Sequence, residues 1–155
     1  MFFTKGERAL LFASGAAALC GACLTIAVIS GLRDAAITTF FGEAIDVWIA
    51  FAGAVGAGAA TYLARNWLGQ PGILGKLKTI FGGTASIWVA SVITGSLILP
   101  VYGTMFGPLA LLNTLIASPV CMVVWAIMIT YVHHQTLQWR RERDAIFEAA
   151  LAPIR

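Results

Sequence analysis

Apolar residues do not alternate with polar ones along this chain but run together in four long blocks. The blocks cover 9–31, 45–64, 79–100 and 108–132, and Gly, Pro and charged residues collect in the short stretches between them. A hydrocarbon core about 30 Å thick is crossed by about 20 apolar residues in an α-helix, so each block predicts one transmembrane helix. Continuous blocks also speak against a membrane barrel, whose strands alternate with period two, whereas a helix satisfies its own backbone polar groups. The expected fold is therefore all-α: a four-helix transmembrane domain over 1–132 and a tail over 133–155. In the tail, 133–144 is polar and cationic. Ile146, Phe147, Ala150 and Leu151 then recur at helical spacing before Pro153, which predicts an amphipathic helix continuing the fourth span.

Composition agrees with that pattern. Of 155 residues 59% are hydrophobic and only 11% charged, and the mean hydropathy is +0.86, whereas about a quarter of residues are charged in soluble domains. The cations are unevenly placed. Lys5, Arg8, Arg65, Lys76, Lys78, Arg140, Arg141, Arg143 and Arg155 fall on one side of the expected bundle, and only Arg33, with Asp34, Glu43 and Asp46, falls on the other. The excess of cytoplasmic cations in membrane proteins then places both termini in the cytoplasm and the chain in an inner membrane. Lys76, Lys78, Arg140, Arg141 and Arg143 are within reach of anionic headgroups, and no nucleic-acid partner is implied. Lys5, Arg8 and the small residues Ala13 to Ala18 resemble the start of a secretory signal, but the apolar run is too long for one, which makes it an uncleaved span.

The candidate chemistry is sparse. Gly69 to Lys78 reads GQPGILGKLK. A phosphate-binding loop needs Gly at the start of the motif and a hydroxyl after the Lys; here Gln70 and Leu77 stand there, so the segment reads as a Gly and Pro turn. Cys20, Cys23 and Cys121 could offer three thiols at similar depth but no fourth ligand, and they read as small packing residues. His133 and His134 point about 100° apart on a helix, whereas axial haem ligands in bundles come from facing helices; they read as a polar pair at the interface. Trp88 and Trp125 lie deep enough to touch a pigment, quinone or lipid tail, with plain lipid or helix contact the preferred reading. Bound lipid is the one expected ligand, and a cofactor is otherwise unspecified. No carboxylate pair or nucleophile constellation points to an enzyme, and no ionisable residue lies deep in a span as proton relays require. Asn113 is the one strongly polar residue in mid-span, expected to hydrogen-bond a neighbouring helix.

Small residues recur every four positions: Ala13, Ala17 and Gly21; Ala50, Ala54 and Gly58, flanked by Ala52, Gly56 and Ala60; and Gly82, Ser86, Ala90 and Thr94. Such faces let helix backbones approach closely where lipid removes the hydrophobic drive, and there is more of this surface than one bundle needs. An ungapped offset of 69 residues aligns Gly6 with Gly75, Phe12 with Phe81 and Thr61-Tyr62 with Thr130-Tyr131, which suggests a duplicated hairpin. These features predict a small accessory subunit of a larger inner-membrane complex, packed through the small-residue faces and docked through Ile146, Phe147 and Leu151. A homo-oligomeric, holin-like pore is the alternative, and a small-molecule transporter comes third.

Overall fold

The computed structural model describes residues 4–35 and 43–151, with the side chains of 31–35, 43 and 149–151 outside the description. Among the described residues the secondary structure is helical throughout: α1 Lys5–Ala35, α2 Glu43–Ala64, α3 Gly72–Ile98, α4 Gly103–Ala117 and α5 Pro119–Leu151. Four of these, α1, α2, α3 and α5, are long and apolar enough to cross a membrane. The tail is not a separate element, since α5 runs unbroken from the last apolar block through His133 to Leu151.

The expected fourth span, 108–132, is two helices. Ser118 is extended, with φ −126° and ψ 99°, and Pro119 opens α5. The proline ring disfavours helical geometry in the residue before it, while its own fixed φ suits the first position of a helix. With 15 residues, α4 is only about 22 Å long and falls short of a span. Its start also differs, because Pro108 lies inside α4 and not at its beginning. The third helix begins earlier than expected: Gly72 to Lys78 form its first two turns, so the polar connection is only 65–71. The 69-residue offset fails at the break, since position 118 aligns with 49 (118 − 69) and Ile49 lies inside the unbroken α2.

Packing follows the small residues. Along the sequence α1 lies against α2 and α2 against α3; α5 closes on α1, and α4 folds back on α3, with little contact between α4 and α5. Gly21 sits against Gly53 and Ala57, and Gly56 against Ala90 and Thr94. The Thr94 hydroxyl donates to Ala52 O at 3.3 Å and the Trp48 indole to Leu97 O at 3.1 Å, both linking α3 to α2. Gly6 faces Trp139 and Ala13 packs with Leu68 and Val132, so α1 and α5 are antiparallel. The core lies toward the end that carries Lys5, Arg65 and Lys76, here the basic end.

Gly95 of α3 and Gly103 of α4 approach so closely that a Cβ on either residue would strike the other's backbone. The turn between them holds Val101 at φ 72°, a conformation that costs an L residue about 1–2 kcal/mol, with its side chain exposed to solvent or lipid. Val101→Gly is therefore expected to raise thermal stability in detergent, by about 0.5–1 kcal/mol once the entropy of glycine is counted. Gly103→Leu should lower it by about 1–3 kcal/mol through overpacking. Circular dichroism melts check both signs.

Candidate functional site

The polar groups of the chain converge at the basic end, around the α2–α3 connection. A helix leaves its last carbonyls without intrahelical partners, and α2 ends at Ala64 with none of its own basic residues in the last turn. Arg140 of α5 supplies the donors: Nε bonds Leu68 O at 3.0 Å, and Nη2 bonds Arg65 O at 3.2 Å and Asn66 O at 2.6 Å. Two turns earlier on α5, His133 Nδ1 accepts the Gly69 N–H at 3.1 Å and lies 2.8 Å from the Thr79 hydroxyl. Accepting an N–H needs the Nδ1 lone pair, so the ring proton is assigned to Nε2. Between these two contacts Thr136 is 0% exposed, its hydroxyl donating to Val132 O at 2.7 Å.

Gly69 makes this approach possible. Its φ is +70°, and a Cβ there would stand 2.7 Å from Leu137 N, so only glycine fits both the turn and the face of α5. Leu68, 1% exposed, fills the space between Ala13 and Val132. The start of α1 joins the same cluster, since Gly6 N–H donates to the Glu142 carboxylate. Other cations stay at the surface: Arg65 stacks on Tyr62 at 3.9 Å, Arg143 on Trp139 at 5.0 Å, and the Arg143–Asp144 pair at 3.6 Å is exposed.

Beyond Leu68 and Val132 a gap opens where α4 and α5 make little contact with each other. A cavity of about 290 Å³ extends toward the far end, walled by α1, α3, α4 and α5 together with part of α2. Its walls are apolar, and the hydroxyls on them are turned to backbone carbonyls: Thr25 to Gly21 O, Thr61 to Ala57 O, Ser86 to Gly83 O and Ser91 to Trp88 O. Such a space suits a hydrocarbon chain and offers a polar ligand little to bind.

The residues singled out from sequence are distributed as follows. Ala13 and Ala17 are buried, and Gly21, Gly58 and Gly82 face Gly53, Ala18 and Trp67 in turn, so much of the small-residue surface is used within the chain. On α2 the buried stripe is Ala52, Gly56 and Ala60, with Ala50 and Ala54 only half-buried. Ser86, Ala90 and Thr94 line the cavity, as does Trp125. Lys76, Lys78 and Arg141 are exposed at the basic end, whereas Arg140, expected at the headgroups, has its guanidinium on the carbonyls of the connection. His133 is taken up by Gly69 and Thr79 and His134 stays exposed. Cys20 lines the cavity and Cys23 is exposed; among the described residues no three His, Cys, Asp or Glu side chains gather as a metal site. Asn113 is exposed, with no hydrogen bond among the described residues. Ile146 and Phe147 are exposed as well, and the Leu151 side chain and residues 152–155 lie outside the described residues.

The partners of Arg140 and His133 lie 54 to 75 residues away in sequence, and no local pattern announces them. Comparison with protein-family models, curated proteins and solved structures finds no match for the chain. If the Arg140 cluster fixes α5, then Arg140→Gln should lower the thermal midpoint by the equivalent of about 1–3 kcal/mol, the range for losing charge-assisted bonds at a partly wetted site. Arg141→Gln, changed on an exposed neighbour, should leave it within about 0.5 kcal/mol. Equal losses in the two variants would mean that net charge, and not the carbonyl contacts, governs stability.

Proposed function

We propose that this chain is a small structural subunit of a larger inner-membrane assembly, with both termini on the cytoplasmic side. The observation that carries the reading is the course of α5. It continues as one helix past Val132, and Ile146 and Phe147, 56% and 61% exposed, lie on it 14 residues further on. At 1.5 Å per residue that is about 21 Å along the helix, beyond a headgroup layer several ångströms deep on each side of the core. A continuous helix that carries bare aromatic and aliphatic side chains to that distance is suited to docking a protein and poorly suited to lying on the membrane.

The cytoplasmic assignment rests on charge. All the described lysines and arginines whose side chains are placed lie at the basic end, in α1, the α2–α3 connection, the start of α3 and the extension of α5. That is the distribution the cytoplasmic cation bias favours. The pore alternative has less support, because the cavity offers no polar path to an ion, and the one carboxylate within the apolar blocks, Asp46, lies at the end of its block and not at the depth where a proton relay would need it.

Two measurements test the proposal. In a background with Cys20, Cys23 and Cys121 replaced by Ala, an impermeant thiol reagent added outside the cell should label Val101→Cys and spare Ile73→Cys; the reverse would invert the topology. Purification in mild detergent should recover foreign subunits, and Ile146→Ser with Phe147→Ser should lose them without loss of membrane insertion. Arg141→Gln with Arg143→Gln should keep them. Partners retained by the apolar double variant would remove the docking role of α5.

A further inference from the structure

Helix α4 has two different sides. Gly103 and Gly107 press on Gly95 and Ser91 of α3. Turned about 110° away at 100° per residue, Phe106, Leu109, Asn113 and Ile116 follow one another three, four and three residues apart. All four are exposed, Leu109 at 60% and Ile116 at 75%. Alternating steps of three and four are the seam of a two-helix coil, with Asn113 on the seam itself. Asn113 is also the one carboxamide within the apolar block 108–132, and among the described residues it has no partner. A bare amide facing hydrocarbon is unfavourable, and interhelical hydrogen bonds are the usual remedy.

We infer that α4 is a dimerisation helix: its Phe106, Leu109, Asn113 and Ile116 seam packs against the same seam of a second copy, and the two Asn113 carboxamides bond each other across the twofold axis. Several features favour a second copy over lipid or a foreign helix. Acyl chains present neither a donor nor an acceptor. An amide carries both and is therefore complementary to itself, which is what an isologous contact requires. Copies inserted with the same sidedness are related by an axis along the membrane normal, so the two α4 helices run parallel and each seam residue meets its own counterpart. The Gly103 and Gly107 side of α4 is committed to α3, and although Phe106 also borders the cavity, Leu109, Asn113 and Ile116 are turned outward. This contact is independent of any subunit recruited by α5, because the two surfaces share no residue.

The test uses the full chain with its three native cysteines replaced by Ala. In membranes treated with a mild thiol oxidant, Ile116→Cys should form a covalent homodimer and Leu19→Cys, on an exposed face of α1, should not. In detergent, Asn113→Leu should weaken self-association about three- to thirtyfold, the range for one interhelical hydrogen bond, and Asn113→Gln should recover most of it. Circular dichroism of the two Asn113 variants separates loss of association from loss of fold, and the oxidation experiment leaves position 113 unchanged. Equal cross-linking at positions 19 and 116, a monomer at every ratio of protein to detergent, capture of another protein by Ile116→Cys, or undiminished association of Asn113→Leu would each overturn the inference.

Discussion

Peptide groups in a chain reversal that packs against a neighbouring helix lose water on that side and must find partners within the protein. In this fold the reversal is the connection from Arg65 to Pro71, and a single guanidinium, that of Arg140, takes up carbonyls of Arg65, Asn66 and Leu68. His133 takes the Gly69 N–H in the same way. Both partners, the Arg140 donor and the His133 acceptor, come from α5, so satisfying the turn also fixes the depth and rotation of the last helix. Once α5 is fixed, Val132 and Leu68 close on Ala13, and α1 is held between α2 and α5. Helix packing at the basic end thus follows from the hydrogen-bonding demand of one short loop.

The far half is organised differently. There the helices depend on close approach of small residues, with α4 bound almost wholly to α3 through Gly95, Gly103 and Gly107. Little joins α4 to α5, and the apolar cavity occupies the gap. One end of the molecule is cross-braced by polar contacts and the other is adaptable and greasy. That division suits the proposed subunit role, in which the extension of α5 meets one partner while the other half of the molecule conforms to lipid or to another helix.

Much of the architecture was legible in the sequence because a transmembrane helix is specified by its own residues alone. Three apolar blocks became single long helices and the fourth was divided between α4 and α5, and Gly69 and Pro71 marked a real turn, the glycine in left-handed geometry. The break at Ser118-Pro119 was legible as well, since residues before proline leave the helical region, but the hydropathy of 108–132 conceals it. The polar site was not legible. Arg140 reads as one of several tail cations facing headgroups, and only the folded backbone reveals that three carbonyls lie under it. The small-residue faces were visible as faces, yet composition does not say which neighbour each one meets: Ala52, Gly56 and Ala60 were taken inward, while Ala50 and Ala54 were left half-covered. Asn113 stood out by chemistry alone, and its exposure required the fold.

The dependence on the turn can be read at one amide. Gly69 lies outside any helix, and an N–H in an open surface turn exchanges with solvent at close to its intrinsic rate, whereas one bonded within a packed cluster exchanges only when that cluster opens. Hydrogen exchange of the protein in nanodiscs, followed at the Gly69 amide, should show protection comparable with amides in the middle of α3, and lose it in step with α5 when Arg140 is replaced by Gln. Exchange of Gly69 at the rate of a free turn in the unaltered protein would contradict the account.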